Sequence, residues 1–313
     1  MHRILGFLFF IVTLLSCNKE VEIDIPGYKQ QLVVDGNIEV GGHPIVILSQ
    51  SANIFTESYI TTYVNSFVSD ADVKVVVEND TFQLDYILTT DLPISSQKKL
   101  AEMLRIELDE LLQLPIRVYS STSLIAQAEK TYELIINHQG KQYNAKTFLP
   151  SPTPLQSIYW KLEPETVEYG YSWAKLQDPP GQFDAYKWEV RRINKVNGED
   201  LDQTFRRGFG AYREDRYFDG LTFDFYYQNP LKRKDSTHLE IYKRYYRLGD
   251  SVVVKFSKMD KKTYDFFDKK SAQMESSDNP YSTPINLPTN LTGGALGIWA
   301  GFSPWYDTLY CVP

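Results

Sequence analysis

Residues 72–86 read Asp72-Val73-Lys74-Val75-Val76-Val77-Glu78-Asn79-Asp80-Thr81-Phe82-Gln83-Leu84-Asp85-Tyr86, and this stretch decides the fold class. Val73, Val75 and Val77 alternate with Lys74, Val76 and Glu78, a period of two that puts the valines on one face of an extended chain. Asn79-Asp80 supplies turn residues and Thr81 to Tyr86 returns, so the segment predicts a half-buried hairpin with one core-facing side. The device recurs on both sides. Leu32-Val33-Val34 and Ile45-Val46-Ile47-Leu48 flank the turn-rich Gly41-Gly42-His43-Pro44, and Tyr132 to Ile136 and Tyr143 to Phe148 bracket Gln139-Gly140-Lys141. Short strands at this spacing predict a mainly β chain of two β-sandwich-like domains, immunoglobulin-like or transthyretin-like, with a few short helices.

One of those helices interrupts the first domain. Leu100, Met103, Leu104, Leu108, Leu111 and Leu112 fall at helical spacing between Ser95 and Leu114, with Ser95 or Ser96 placed to cap and Pro115 to stop it. Leu149-Pro150-Ser151-Pro152-Thr153-Pro154-Leu155 carries three alternating prolines, which cannot donate to a sheet, and predicts a linker at 151–155 between domains at 31–150 and 156–313. In the second domain Ile158 to Leu162, Ser172 to Gln177 and Ala185 to Ile193 read as strands, with a tight turn at Asp178-Pro179-Pro180-Gly181. Asn194 to Asp235 reads as a loop region. His238 to Tyr242 and Val252 to Phe256 then read as an antiparallel pair, Asp260 caps a helix presenting Tyr264, Phe267, Ser271 and Met274 on one face, and Leu296 to Phe302 is a closing strand.

The chain of 313 residues is 42% hydrophobic and 14% aromatic, ample for packed cores. Its net charge of −7 disfavours nucleic acid as a partner. The first residues, His2-Arg3 and then an apolar run from Ile4 to Leu15, have the layout of a cleaved signal peptide over 1–16; the run falls short of the roughly twenty residues a bilayer span needs. Leu14-Leu15-Ser16-Cys17 resembles the bacterial lipobox, which implies thioether acylation at Cys17, cleavage before it, and a lipidated tether over 17–30. Two or more acyl chains, at about 0.8 kcal/mol per buried methylene, hold a protein stably to a membrane. Cys311 is then left without an intramolecular disulfide partner and reads as a small apolar residue of a terminal strand.

Cys17 followed by Val21-Glu22-Ile23-Asp24-Ile25-Pro26, then Leu32 to Gly36, Gly140-Lys141-Gln142-Tyr143 with Leu149-Pro150, Leu248-Gly249-Asp250, and Asn290 to Phe302 together resemble a family of Bacteroidota lipoproteins, domain of unknown function 4249. The resemblance spans nearly the whole mature chain and brings no catalytic residues. It implies an outer-membrane lipoprotein, displayed on the cell surface or on the periplasmic face, working beside a TonB-dependent receptor in uptake.

A search for chemistry returns little. His43, His138 and His238 are far apart, and neither His-x-x-x-His, Cys-x-x-Cys nor a calcium loop occurs, so no metal or other cofactor is expected. No Gly-x-Ser-x-Gly elbow is present, and Gly293-Gly294-Ala295-Leu296-Gly297 lacks the lysine of a phosphate loop. Aromatic density does stand out. Tyr212, Tyr217, Phe218, Phe223, Tyr226 and Tyr227 interleave with Arg213 and Arg216 in a longer stretch that also holds Phe225 and Arg244. Tyrosine and arginine suit binding surfaces because each joins broad contact area to a polar end, while aromatics in strands also fill cores. These readings together lead to the expectation of a non-enzymatic ligand-binding or transport-accessory lipoprotein, with a surface hydrolase of glycan or peptide, or an adhesin or scaffold, as alternatives. Cys17→Ser is expected to abolish fatty-acid labelling and release the mature chain from membranes, as fractionation of labelled cells would read.

Overall fold

The alternation at 72–86 appears as β3 (Asp72–Val77) and β4 (Asp80–Leu88), with Val75 opposite Phe82 and Val73, Val75 and Val77 all buried. The structure, a computed structural model, describes residues 29–51, 64–231, 242–276 and 286–312. Cys17, the signal segment and most of the tether lie outside the described residues, as do 238–241 of the strand expected at 238–242. The chain is mainly β. Among the described residues no helix is long and apolar enough to cross a membrane.

In the first half, β1 (Leu32–Glu39) and β2 (Ile45–Gln50) form the expected hairpin, as do β6 (Lys130–His138) and β7 (Lys141–Leu149), with β5 (Arg117–Ser120) joining β2 to β4. The expected helix is two helices, α1 (Ile94–Leu104) and α2 (Leu108–Leu112), broken where Arg105 turns left-handed at φ 59°. Pro93 precedes the first turn and no side chain caps it, so Ser95 and Ser96 sit inside the helix rather than at its cap.

The second half contains β8 (Leu155–Leu162), β9 (Tyr169–Gln177), β10 (Ala185–Arg192), β15 (Tyr246–Arg247), β16 (Ser251–Met259), α3 (Lys261–Ser276) and β17 (Leu296–Tyr310). Asp260 caps α3 as expected, accepting from the Thr263 amide at 2.8 Å, and its other oxygen accepts from the Phe148 amide at 3.0 Å, tying the helix to β7. The region expected as loop from 194 to 235 instead carries β11 (Lys195–Val196), β12 (Glu199–Asp200), β13 (Arg206–Glu214) and β14 (Thr222–Tyr227). In β14, Phe223, Phe225 and Tyr227 point alternately into a core, and the intervening polar residues hide that period in a sequence crowded with aromatics. The pair expected between 238–242 and 252–256 is also corrected, because β16 spends both edges on β10 and β17.

Eleven strands form one sheet in the order β13-β10-β16-β17-β1-β2-β5-β4-β3-β6-β7, and β8, β9, β14 and β15 form a second that packs on β10 and β16. The proline-rich segment lies between two hydrophobic clusters, yet Leu291, Ala295 and Trp299 belong to the first one. The reason is β17. Its first seven residues pair in parallel with β1 and its remaining eight pair antiparallel with β16, so one strand completes both halves. Trp299 is fully buried opposite Gly36, where a Cβ would stand 2.6 Å from the indole, and its Nε1 donates to the Tyr132 carbonyl at 3.1 Å. Asn290 accepts from the Trp299 amide at 3.0 Å and donates to its carbonyl at 2.8 Å, standing in for a strand neighbour.

Gly297 makes this pairing possible. Its φ is +96°, and a Cβ there would lie 1.9 Å from the Val34 carbonyl oxygen. Gly297→Ala is expected to lower the unfolding free energy by more than about 2 kcal/mol in urea denaturation, whereas Gly294→Ala is expected to lose about 1 kcal/mol. Gly294 shares the positive φ but has open space around it, so the difference between the two variants isolates the contact with β1.

Candidate functional site

The alternation along β10 and β16 gives the large sheet two chemically different faces. Tyr186, Trp188, Val190, Val252, Val254 and Phe256 face the second sheet, whereas Lys187, Glu189, Lys255 and Ser257 face the other way, toward the side of the sheet that α1 and α3 cover. A cavity opens on each side. The first is aromatic and the second is charged.

The aromatic cavity, of about 610 Å³, lies at the mouth of the gap between the two sheets. Leu176, Phe218, Phe223, Phe225, Tyr226 and Tyr227 line it from the side of the smaller sheet, Tyr186 and Phe256 from the large sheet, and Gln228, Arg213 and Arg244 supply polar groups. The rings are set edge to face or offset, as Phe225 and Tyr227 show at 5.7 Å and 89°, which is the geometry aromatic quadrupoles favour. Burial pushes the Tyr227 phenol up to about 12 against the opposing charge of Arg213. Such a cavity suits a ligand with a planar or apolar body and an anionic end.

Of the eight residues singled out in the sequence, the structure brings Arg213, Phe218, Phe223, Tyr226 and Tyr227 together here. Tyr212 faces the opposite way and lines the charged cavity instead. Tyr217 is 86% exposed and lines neither, and Arg216 reaches out to Glu214 at 2.8 Å. Residues within a few positions of each other in an edge strand alternate between faces, and this parts Tyr212 from Arg213. Leu176, Tyr186 and Phe256, missed in the sequence, look there like ordinary strand residues.

The charged cavity, of about 410 Å³, is lined by Asp35 and Asn37 of β1, Lys99, Glu102 and Met103 of α1, Lys187 and Glu189 of β10, Phe267, Lys270 and Met274 of α3, and Phe205, Arg207 and Tyr212 around β13. Behind it lies a buried ionic hub. The carboxylate of Glu39 accepts from Lys255 at 2.7 Å, from Lys99 at 2.8 Å and from the Tyr306 hydroxyl at 3.2 Å. Burial alone would raise the Glu39 carboxyl, but Lys255 and Lys99 hold it far below the usual range. Burial would likewise depress the Lys255 ammonium, and Glu39, Glu102 and Glu189 hold it well above its ordinary value. Lys187 pairs with Glu189 at 2.7 Å and sits 4.8 Å over the Phe302 ring. Two acids face the other balance. Burial pushes Asp35 and Glu102 up, with Lys270 opposing at Asp35 and Lys255 and Lys99 opposing at Glu102.

A third arrangement concerns metals. Asp178, Asp215 and Asp219 offer carboxylate oxygens within 4.8 Å of one another, an all-oxygen set of the kind hard cations take. Each already has local partners: Asp178 accepts from the Tyr186 hydroxyl at 2.7 Å and the Gly220 amide at 3.1 Å, Asp215 from the Asp184 amide at 2.9 Å, and Asp219 from the Gly181 amide at 2.8 Å. The trio ties two turns together, and none of its members lines either cavity.

A family model described as "Domain of unknown function (DUF4249)" matches residues 18–304. No curated protein and no solved structure matches.

The ionic hub makes stability depend on pH in a definite direction. Glu39 has a folded pKa below its ordinary 4.5, so its contribution is complete above that value and is lost as the pH falls beneath it. Glu39→Gln is expected to cost about 3–5 kcal/mol at neutral pH, because it leaves two buried lysines without their closest carboxylate. In denaturant melts across pH, the gap between variant and parent should narrow as the solution becomes more acidic than 4.5.

Proposed function

The chain belongs to the DUF4249 family, and from that premise, which carries no activity with it, we propose a lipid-anchored, non-enzymatic binding protein that takes an amphipathic anion into the aromatic cavity. The observation that supports this most directly is the convergence of five separately read aromatic and arginine residues on one open-mouthed cavity, with Arg213 and Arg244 in its wall. Aromatic walls supply contact area at low conformational cost, and a guanidinium holds a carboxylate, sulfonate or phosphate through paired hydrogen bonds. Gly210 admits Arg213 to this position: a Cβ there would lie 3.0 Å from the Arg213 Nη2 atom.

The lipobox-like Leu14-Leu15-Ser16-Cys17 supports placement at a membrane surface, the family resemblance supports the outer membrane as its setting, and the charged tract Asn18 to Asp24 supports outward display. An accessory role beside a TonB-dependent receptor follows as part of the proposal: a tethered domain that captures a scarce ligand raises its local concentration at the transporter. The alternative of a carboxylate-based hydrolase draws no support from the acidic trio, whose members each accept local hydrogen bonds that tie turns together and line neither cavity.

Anilinonaphthalene sulfonate, an aromatic anion that brightens in apolar surroundings, is a direct probe. Saturable fluorescence is expected with the native chain, and the double variant Arg213→Ala/Arg244→Ala should weaken it by about tenfold or more through loss of charge-assisted bonds. No saturable dye binding, or identical binding by the variant, would count against the proposal.

A further inference from the structure

The charged cavity is separate from the aromatic one, and its charges do not cancel within the fold. Lys99 is occupied by Glu39 and Glu102, Lys187 by Glu189, and Arg206 by Glu107. Asp35 is left over: it lines the cavity, and no donor among the described residues hydrogen-bonds its carboxylate. Glu189, only 5% exposed, bonds Lys187 through one oxygen while the other has no hydrogen-bond partner. On the cationic side, Arg207 lies 5.3 Å over the Tyr212 ring and Lys270 lies 5.6 Å over the Phe266 ring, and neither forms an ion pair among the described residues. Tyr212 stands amid these groups, close enough for its phenol to feel Arg207, Glu189, Lys99 and Asp35.

Withdrawing carboxylate oxygens from water without a donor, fully at Glu189 and in part at Asp35, is costly, and a site that does so is built for something that brings the donor with it. Inside the exposed rim, where Arg105 and Glu275 stand, the groups without an ion pair are Asp35 and the cations Arg207 and Lys270, with Phe205, Phe267, Phe302, Met103 and Met274 forming apolar surface between. We propose that this cavity binds a compact zwitterion of the α-amino-acid class with an apolar side chain, its ammonium on Asp35 and its carboxylate on Arg207 and Lys270. The volume of about 410 Å³ lies within the range of about 300–1,000 Å³ typical of small-molecule pockets. The aromatic and thioether walls select an apolar side chain.

Calorimetric titration of the full chain tests this with three probes: L-phenylalanine, phenethylamine, which lacks the carboxylate, and phenylpropionate, which lacks the ammonium. L-Phenylalanine is expected to bind saturably and each half-molecule about tenfold more weakly or worse. Asp35→Asn should weaken L-phenylalanine by at least about tenfold, leave phenylpropionate unchanged, and leave the melting temperature of the empty protein equal or higher, since it removes a half-buried carboxylate that has no ion pair. If that variant does not fold, Arg207→Met gives the reciprocal test, weakening L-phenylalanine while sparing phenethylamine. Absence of saturable L-phenylalanine binding, equal affinity for the half-molecules, or unchanged affinity in the variant overturns the proposal. Dye binding by the aromatic cavity is read in the same samples, so failure of one site is distinguished from failure of the other.

Discussion

The strand from Leu296 to Tyr310 has two partners in succession, and the rest of the molecule depends on this. Seven residues add it to β1 in parallel and eight add it to β16 in antiparallel sense, so the large sheet is continuous only because one strand is long enough to serve both. The alternation along it divides the interior as well. Trp299 enters the core of the first half, while Ile298, Ala300 and Phe302 face the helix and the charged cavity. A parallel pair needs close backbone approach without a hairpin to set its register. Gly297 and Gly36 supply the close approach, and Asn290 fixes the strand at Trp299.

Both cavities sit against the same edge strand. In β13 the pairing with β10 shifts between Lys187 and Glu189, so the strand bulges through Gly208 and Gly210. On one side of that bulge are Arg206, Arg207 and Tyr212, which line the charged cavity, and on the other is Arg213, which lines the aromatic one. Gly210 borders both. Bulges re-aim side chains where a regular ladder would hold them to one face, and here the irregularity lies between two candidate binding sites rather than in the packed interior.

The β-character and the hairpins were legible because period-two alternation is a local signal, carried by runs such as Val73, Val75 and Val77. The helix after β17's partner strand was legible from Asp260 and its apolar face. The parallel union of β1 with β17 was not, since Leu32 to Glu39 and Leu296 to Phe302 are far apart in sequence and no residue type announces which edge a strand will seek. The aromatic cavity was half legible. Five residues were recognised by type, but their separation from Tyr212 and Tyr217 depends on which face each occupies, and Tyr186 and Phe256 join only through sheet packing. The charged cavity was illegible for a different reason: Lys187, Glu189 and Lys255 look like the solvated side of an amphipathic strand until α1 and α3 cover them.

β1 and β17, the first and last strands among the described residues, are side-by-side neighbours, so a long loop must close before the central ladder exists. Such topology carries high contact order and slows folding, and it leaves the inner edge of β1 unsatisfied until β17 docks. Until that pairing forms the central ladder is incomplete, and the bare edge exposes the chain to aggregation in the interval. A chaperone that shields that bare edge would carry the chain safely across that interval.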